Sequence, residues 1–267
     1  MLSVIIPSIR PLGLQKVINT IDRSLEDSWN LIVVSPNRMD IIETPLMNSY
    51  VNIVDKGSPA RCLQVGVNEV RDEIFTWITD DAFYLPKQLK KCVDRLYTKK
   101  ESDGIIIKYT EGKSLKQTKD FFFVAKSSEV TTHPGINPNW RVAPIGMFYT
   151  SYFKSLGGID CRFDHINLTI HDFAFRLQRD GGNLHYSPGI VFHCLQNEGK
   201  SHEPIEIADR KDLVLFSEIY KDSNRNVCID FDNWKDSPEV WDRFKCSCFR
   251  CLEKERNVKY NHTQYQS

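Results

Sequence analysis

Asp80 and Asp81 are adjacent carboxylates at the end of an apolar run, Ile74–Thr79 (IFTWIT). Side by side they repel, and partial burial adds to that cost unless something compensates it. A divalent cation is the usual compensation: Mg²⁺ takes one or two carboxylates together with phosphate oxygens and water. Acids at such a place also cap the turn that follows, so the pair alone leaves both readings open. Arginines serve phosphate through forked hydrogen bonds, and Arg10 and Arg61 each lie shortly after an apolar segment. Asp172 has the chemistry of a proton acceptor, or of an acid in a first helical turn that complements the dipole. His193 closes an apolar run and suits either a metal neighbour or a satisfied core histidine.

These residues need elements to position them. Leu2–Pro7 (LSVIIP), Asn30–Ser35 (NLIVVS), Val51–Val54 and Ile74–Thr79 read as short buried strands. Between the first two, Leu14, Val17, Ile18, Ile21 and Leu25 fall at helical spacing. Ser58-Pro59 opens a second helix, with Ser as N-cap and Pro at the first position. Pro86 starts a third, with Leu89, Val93 and Leu96 inward. Strands separated by crossover helices predict an α/β fold: a Rossmann-like, mainly parallel central sheet with helices on both faces. Ligands bind beyond the carboxyl ends of such strands. Pro7, Ser8, Arg10, Ser35, Arg61, Asp80 and Asp81 would share that edge.

Further strands are expected at Gly104–Lys108, Phe121–Ala125, Ile145–Tyr149 and Ile190–His193, and a helix at Phe173–Leu177. The irregular stretch 111–142, with Pro134, Gly135, Pro138, Trp140 and Arg141, has the character of a binding lid. After about Glu198 the chain turns polar, with helices expected at Ala208–Tyr220 and Pro238–Phe249. The expected organisation is a domain over 1–198, with halves 1–110 and 111–198, followed by a mainly helical extension over 199–267.

At 267 residues and 41% hydrophobic composition, the chain buries a full core. Lys plus Arg and Asp plus Glu are both 35, so no dominant attraction to nucleic acid is expected. No stretch approaches the roughly 20 apolar residues of a membrane span, and the N-terminus lacks a secretory pattern; a cytoplasmic chain with reduced cysteines is expected. Cys246, Cys248 and Cys251 form a C-x-C-x-x-C cluster that suits zinc, with Cys228 or His262 as fourth ligand, or that lies incidentally on a helix. Neither G-x-G-x-x-G nor a P-loop is present, which argues against a dehydrogenase or a P-loop enzyme.

Four ordered segments resemble the family 2 glycosyltransferases of the GT-A type. They are Ser3-Val4-Ile5-Ile6-Pro7-Ser8 with Arg10-Pro11; Gly57-Ser58-Pro59-Ala60-Arg61 with Gly66 and Asn68; Ile78-Thr79-Asp80-Asp81 through Pro86; and Leu156-Gly157-Gly158-Ile159-Asp160 with Arg162-Phe163 and His171-Asp172. The resemblance implies a GT-A fold and transfer of a sugar, with inversion, from a nucleoside-diphosphate donor (UDP-sugar favoured) to a hydroxyl acceptor. It implies that Pro7, Ser8, Arg10, Arg61 and Asp80 line the donor site, where Ser35 has the chemistry to hydrogen-bond a base. Mn²⁺ or Mg²⁺ would lie at Asp81 with His193 close by, and Asp172 would be the general base. Read from the residues alone, Trp140 and Arg141 bind the acceptor or close the loop over the core, and His171 assists Asp172 or serves structure. The chain departs from the family at Ser35-Pro36-Asn37, where many members carry an acid pair, at Ile9, where an aromatic residue is common, and at His171, where the acidic dyad keeps one carboxylate. The second reading is a non-catalytic nucleotide- or sugar-binding module derived from such a transferase.

Overall fold

A computed structural model describes residues 1–112, 120–122, 125–133, 136–160, 163–195, 212–217 and 220. The first half alternates as the apolar pattern requires. Strands β1 (Leu2–Pro7), β2 (Trp29–Ser35), β3 (Met47–Val54) and β4 (Ile74–Trp77) are separated, in part, by helices α1 (Pro11–Leu25) and α2 (Pro59–Glu69). Pro11 stands at the start of α1. Ser58 caps α2, accepting from the Arg61 N–H at 3.2 Å. Pairing is parallel throughout the order β3-β2-β1-β4, so the carboxyl ends of these four strands share one edge.

The second half adds β5 (Ala82–Tyr84), α3 (Gln88–Leu96), β6 (Gly104–Gly112), β7 (Asp120–Phe122), β8 (Ala125–Lys126), α4 (Ser127–Val130), β9 (Arg141–Val142), β10 (Gly146–Tyr149), α5 (Thr150–Ser155), α6 (Ile166–Arg179) and β11 (Leu184–Leu195). The sheet continues β4-β10-β6-β11-β5. β10 is antiparallel to both β4 and β6, which restores β6 to the direction of β4, and β11 runs parallel to β6. The ends of β6 and β11 therefore reach the same edge as those of β1–β4. The third helix begins after Lys87, whose φ of 61° is left-handed, and not at Pro86; before it, β5 pairs with the end of β11. That short strand has no readable apolar period of its own.

α2 packs on β1 and β2 and touches α6, while α1 packs on α3 and β5. One aromatic cluster ties β4, β10, α5 and α6: Phe75 and Phe153 have ring centroids 4.9 Å apart, and Phe153 and Phe173 are 4.2 Å apart. A second reaches into the expected extension, where residues 212–217 are helical. There Phe216 and Tyr220 are buried and pack on Phe163 and Phe175, with Tyr220 5.1 Å from Phe175. The helix expected at Pro238–Phe249 and the cluster Cys246, Cys248, Cys251 with Cys228 and His262 lie outside the described residues.

Candidate functional site

Asp80 is the fixed centre of the edge. It is buried, and its Oδ2 accepts from the Ser8 hydroxyl and from the N–H groups of Ile9 and Arg10, each at 2.9 Å. Its Oδ1 accepts from Arg10 Nε at 2.9 Å and Nη2 at 2.5 Å. The carboxylate thereby shapes the loop between β1 and α1. The first turn of α1 comes close enough that a Cβ on Gly13 would lie 2.2 Å from the Asp80 carbonyl oxygen, so only glycine fits.

Asp81 is different. Its side chain is 20% exposed, its Oδ2 lies 3.2 Å from Arg10 Nη2, and its Oδ1 accepts from the Cys194 thiol at 3.5 Å. Its carbonyl accepts from the Leu195 N–H at 2.8 Å, which ties the end of β11 to the acid pair. Burial, then the charges of Asp81 and Glu111, push the Cys194 thiol well up, so it stays protonated. Among the described residues, no three His, Cys, Asp or Glu side chains converge as a metal cage. A partly exposed carboxylate such as Asp81 nonetheless fits Mg²⁺ or Mn²⁺, which draw most ligands from phosphate and water. Asp80, with five hydrogen bonds, does not have the same latitude.

Ser35 and Arg61 lie further along the edge. The Ser8 N–H donates to Val34 O and the Asp55 N–H to Ser35 O, both at 2.9 Å, joining the ends of β1, β2 and β3. The Ser35 hydroxyl donates to Asn37 O at 2.7 Å and accepts from Asn52 Nδ2 at 2.9 Å. The Arg61 guanidinium is held by Asp55, with Nη2 2.9 Å from Oδ2. Asp55 is an acid at this edge that the sequence reading missed, although it directly follows a strand. The structure thus brings together Pro7, Ser8, Arg10, Asp80 and Asp81, with Ser35 at the end of β2 and Arg61 in the first turn of α2.

Three of the expected site residues are bonded within the fold. His193 is fully buried, with Nε2 3.1 Å from Gly112 O and Nδ1 2.8 Å from Thr110 Oγ1. A carbonyl only accepts, so Nε2 carries the proton and Nδ1 accepts from the hydroxyl. Both nitrogens are spent in the core, and it is the next residue, Cys194, that faces Asp81. Asp172 is also fully buried: its Oδ2 accepts from Arg176 Nε and Nη2 at 3.0 and 2.8 Å, and its Oδ1 from the Tyr220 hydroxyl at 2.6 Å. Arg176 in turn donates to Leu156 O and Gly158 O, both at 2.5 Å, bracing the turn where Gly157 and Gly158 have φ of 81° and 62°. The carboxylate supports that turn and does not open to an acceptor. Arg141 donates to Leu184 O at 2.9 Å and lies over the Tyr186 ring. Leu184 pairs with Gly104 and Cys194 with Glu111, so at about 3.3 Å per residue along β6 the Arg141 anchor lies roughly 20 Å along the sheet from the acid pair.

Trp140 is half-buried and packs against the core. His171 is half-buried on α6 with Nδ1 2.5 Å from Asn167 O, and loss of hydration, with His165 nearby, pushes its pKa down to about 4. Glu111 is the second missed acid. In register, Glu111 pairs with Cys194 just as Thr110 pairs with His193. Alternation therefore sets Glu111 on the same sheet face as Cys194, opposite to that of Thr110 and His193. Its charge also reaches the Cys194 thiol.

The fold and site define an α/β protein whose polar groups gather at the carboxyl edge of one large sheet. No family model and no curated protein matches the sequence. Solved structures share the fold: that of S. aureus TarS (TM-score 0.51, 14% identity over 92% of this chain), TarS 1–349 (0.54, 14%, 92%) and TarS 1–349 in complex with UDP (0.52, 13%, 90%). The chain spans 44% of the first of these and 72% and 70% of the other two. Among the described residues no helix is long and apolar enough to cross a membrane.

Proposed function

We propose that the chain is a glycosyltransferase that moves a sugar from a nucleoside-diphosphate donor, with a UDP-sugar favoured, to a hydroxyl acceptor. The observation that carries this reading is the gathering of Arg10, Asp80 and Asp81 at the carboxyl edge of a fold shared with a protein crystallised with UDP. Asp81 would hold Mn²⁺ or Mg²⁺. When bound, such a cation supplies Lewis-acid stabilisation of the charge that builds on a departing diphosphate. Arg10 adds forked donors for the same phosphates. Asp80 keeps the loop of Ser8, Ile9 and Arg10 in place; the Ser35 hydroxyl is buried and held by Asn37 O and Asn52, so the exposed side-chain amide of Asn37 is the group offered to a base. The acceptor hydroxyl needs a carboxylate to take its proton. With Asp172 sequestered, Glu111, on the same sheet face as Cys194, is the acid assigned that role here. One displacement inverts the anomeric centre, and product NMR showing retained configuration would sink that assignment.

The burial of Asp172 gives specific support to the second reading, a non-catalytic nucleotide- or sugar-binding module. Nucleoside diphosphate release from common donor sugars with Mn²⁺ separates the two. A transferase releases the nucleotide slowly and Asp81→Ala abolishes it; a module binds nucleotide in a thermal-shift panel of UDP, GDP, CDP and dTDP yet releases nothing in either form.

A further inference from the structure

The Asp81 oxygen that a divalent cation would take is one that Arg10 already holds. Its Nη2 lies 2.5 Å from Asp80 Oδ1 and 3.2 Å from Asp81 Oδ2, so one guanidinium bridges both acids. Its backbone is anchored, with the N–H on Asp80 Oδ2 at 2.9 Å. Its side chain, however, is 36% exposed, and as N-cap of α1 it makes no side-chain capping bond. The anchored backbone thus carries a cationic arm with an open side toward solvent.

We infer that Arg10 is an exchangeable counter-ion, seated on Asp80 and Asp81 until a metal–diphosphate arrives and then transferred to the diphosphate. This rests on the donor-site reading above. A cation at Asp81 and a guanidinium on the same carboxylate repel, so the metal alone must displace Arg10 without offering it a new anion. A diphosphate offers one, because phosphate oxygens fit the same fork as a carboxylate. Metal and nucleotide then bind with positive coupling, and the coupling is reciprocal. Arg10 sets the order of events at the site by suppressing metal binding until the donor is present.

The experiment measures Mn²⁺ affinity of the full chain by electron paramagnetic resonance of the free ion, with and without UDP as the probe nucleotide. In the wild type, UDP tightens Mn²⁺ roughly tenfold or more, within the usual span of coupling. Because UDP itself chelates Mn²⁺, the deciding comparison is made without nucleotide. There Arg10→Gln binds Mn²⁺ several-fold more tightly than the wild type, while its affinity for UDP with Mn²⁺ falls. Arg10→Lys, which keeps the charge and loses the fork, lies between, and it carries the test if the glutamine variant does not fold. Unchanged or weaker Mn²⁺ binding by both folded variants overturns the exchange and leaves the donor-site reading standing. A wild-type chain that binds UDP but never Mn²⁺, or neither, overturns both together.

Discussion

The two adjacent aspartates carry different burdens, and substitutions should separate them. Asp81→Ala removes the partly exposed carboxylate and leaves the loop of Ser8–Arg10 intact. Its expected outcome is loss of Mn²⁺-dependent nucleotide binding with little change in stability, read by calorimetry and thermal melting. Glu111→Gln and Asp172→Asn form a second contrast. If Glu111 takes the acceptor's proton, its amide lowers kcat by about 10²–10⁴-fold and flattens the acid limb of the rate–pH profile, with UDP affinity unchanged. Asp172→Asn instead leaves the buried Arg176 charge without its carboxylate, which costs about 3–5 kcal/mol in denaturant unfolding. If Asp172→Asn were as stable as the wild type and inactive, the base would belong to Asp172 after all.

At the scale of elements, the site depends on how closely α1 approaches the end of β4. Gly13 is the contact point, since a side chain there would meet the Asp80 carbonyl oxygen at 2.2 Å. Gly13→Ala should destabilise by about 1–3 kcal/mol as an overpacked position, and weaken nucleotide binding because the loop carrying Arg10 must shift. Ser58→Ala, which removes only the α2 cap, should cost about 1 kcal/mol and leave nucleotide binding unchanged. A titration showing equal loss of UDP affinity in both variants would mean that the α1 contact has no special place in the site.

Across the whole molecule, Phe216 and Tyr220, from the expected extension, pack in the core. Asp212 accepts from the N–H groups of Asp164 and His165 at 2.5 Å just before α6, and Thr131 donates its hydroxyl to Tyr220 O at 2.5 Å. Phe216→Ala should therefore destabilise the domain by about 3–5 kcal/mol in one cooperative transition. A normal main transition with an early minor one would place the segment outside the fold. Acid stability is also set by long-range pairing. Burial works against the ionised Asp103, but hydrogen bonds from the His185 ring and Asn183 outweigh it and hold its carboxyl below the usual range. A lowered carboxyl pKa adds stability above the unfolded value, near 4, which is lost as pH falls below it. Asp103→Asn should flatten the acid limb of stability against pH.

The sequence by itself determined the alternation of buried strands and helices, the Ser58 cap, and the placing of Asp80 and Asp81 at a strand end. Each of these is local: apolar spacing and turn chemistry act within a few residues. What only the tertiary structure decided was which polar groups remain available. His193 and Cys194 differ by one position in a strand, and one position reverses the face; the core took the histidine and the acid pair received the cysteine. Asp172 was legible as an acid on a helix, but its fate rests on Tyr220, 48 residues away. Glu111 reached the site through the register of β6 with β11, and Arg10 spans the acid pair across 70 residues of chain. Contacts at such separations leave no periodic trace in the sequence. The pair Asp80-Asp81 was visible from the start; the cation that the fold itself sets on it was not.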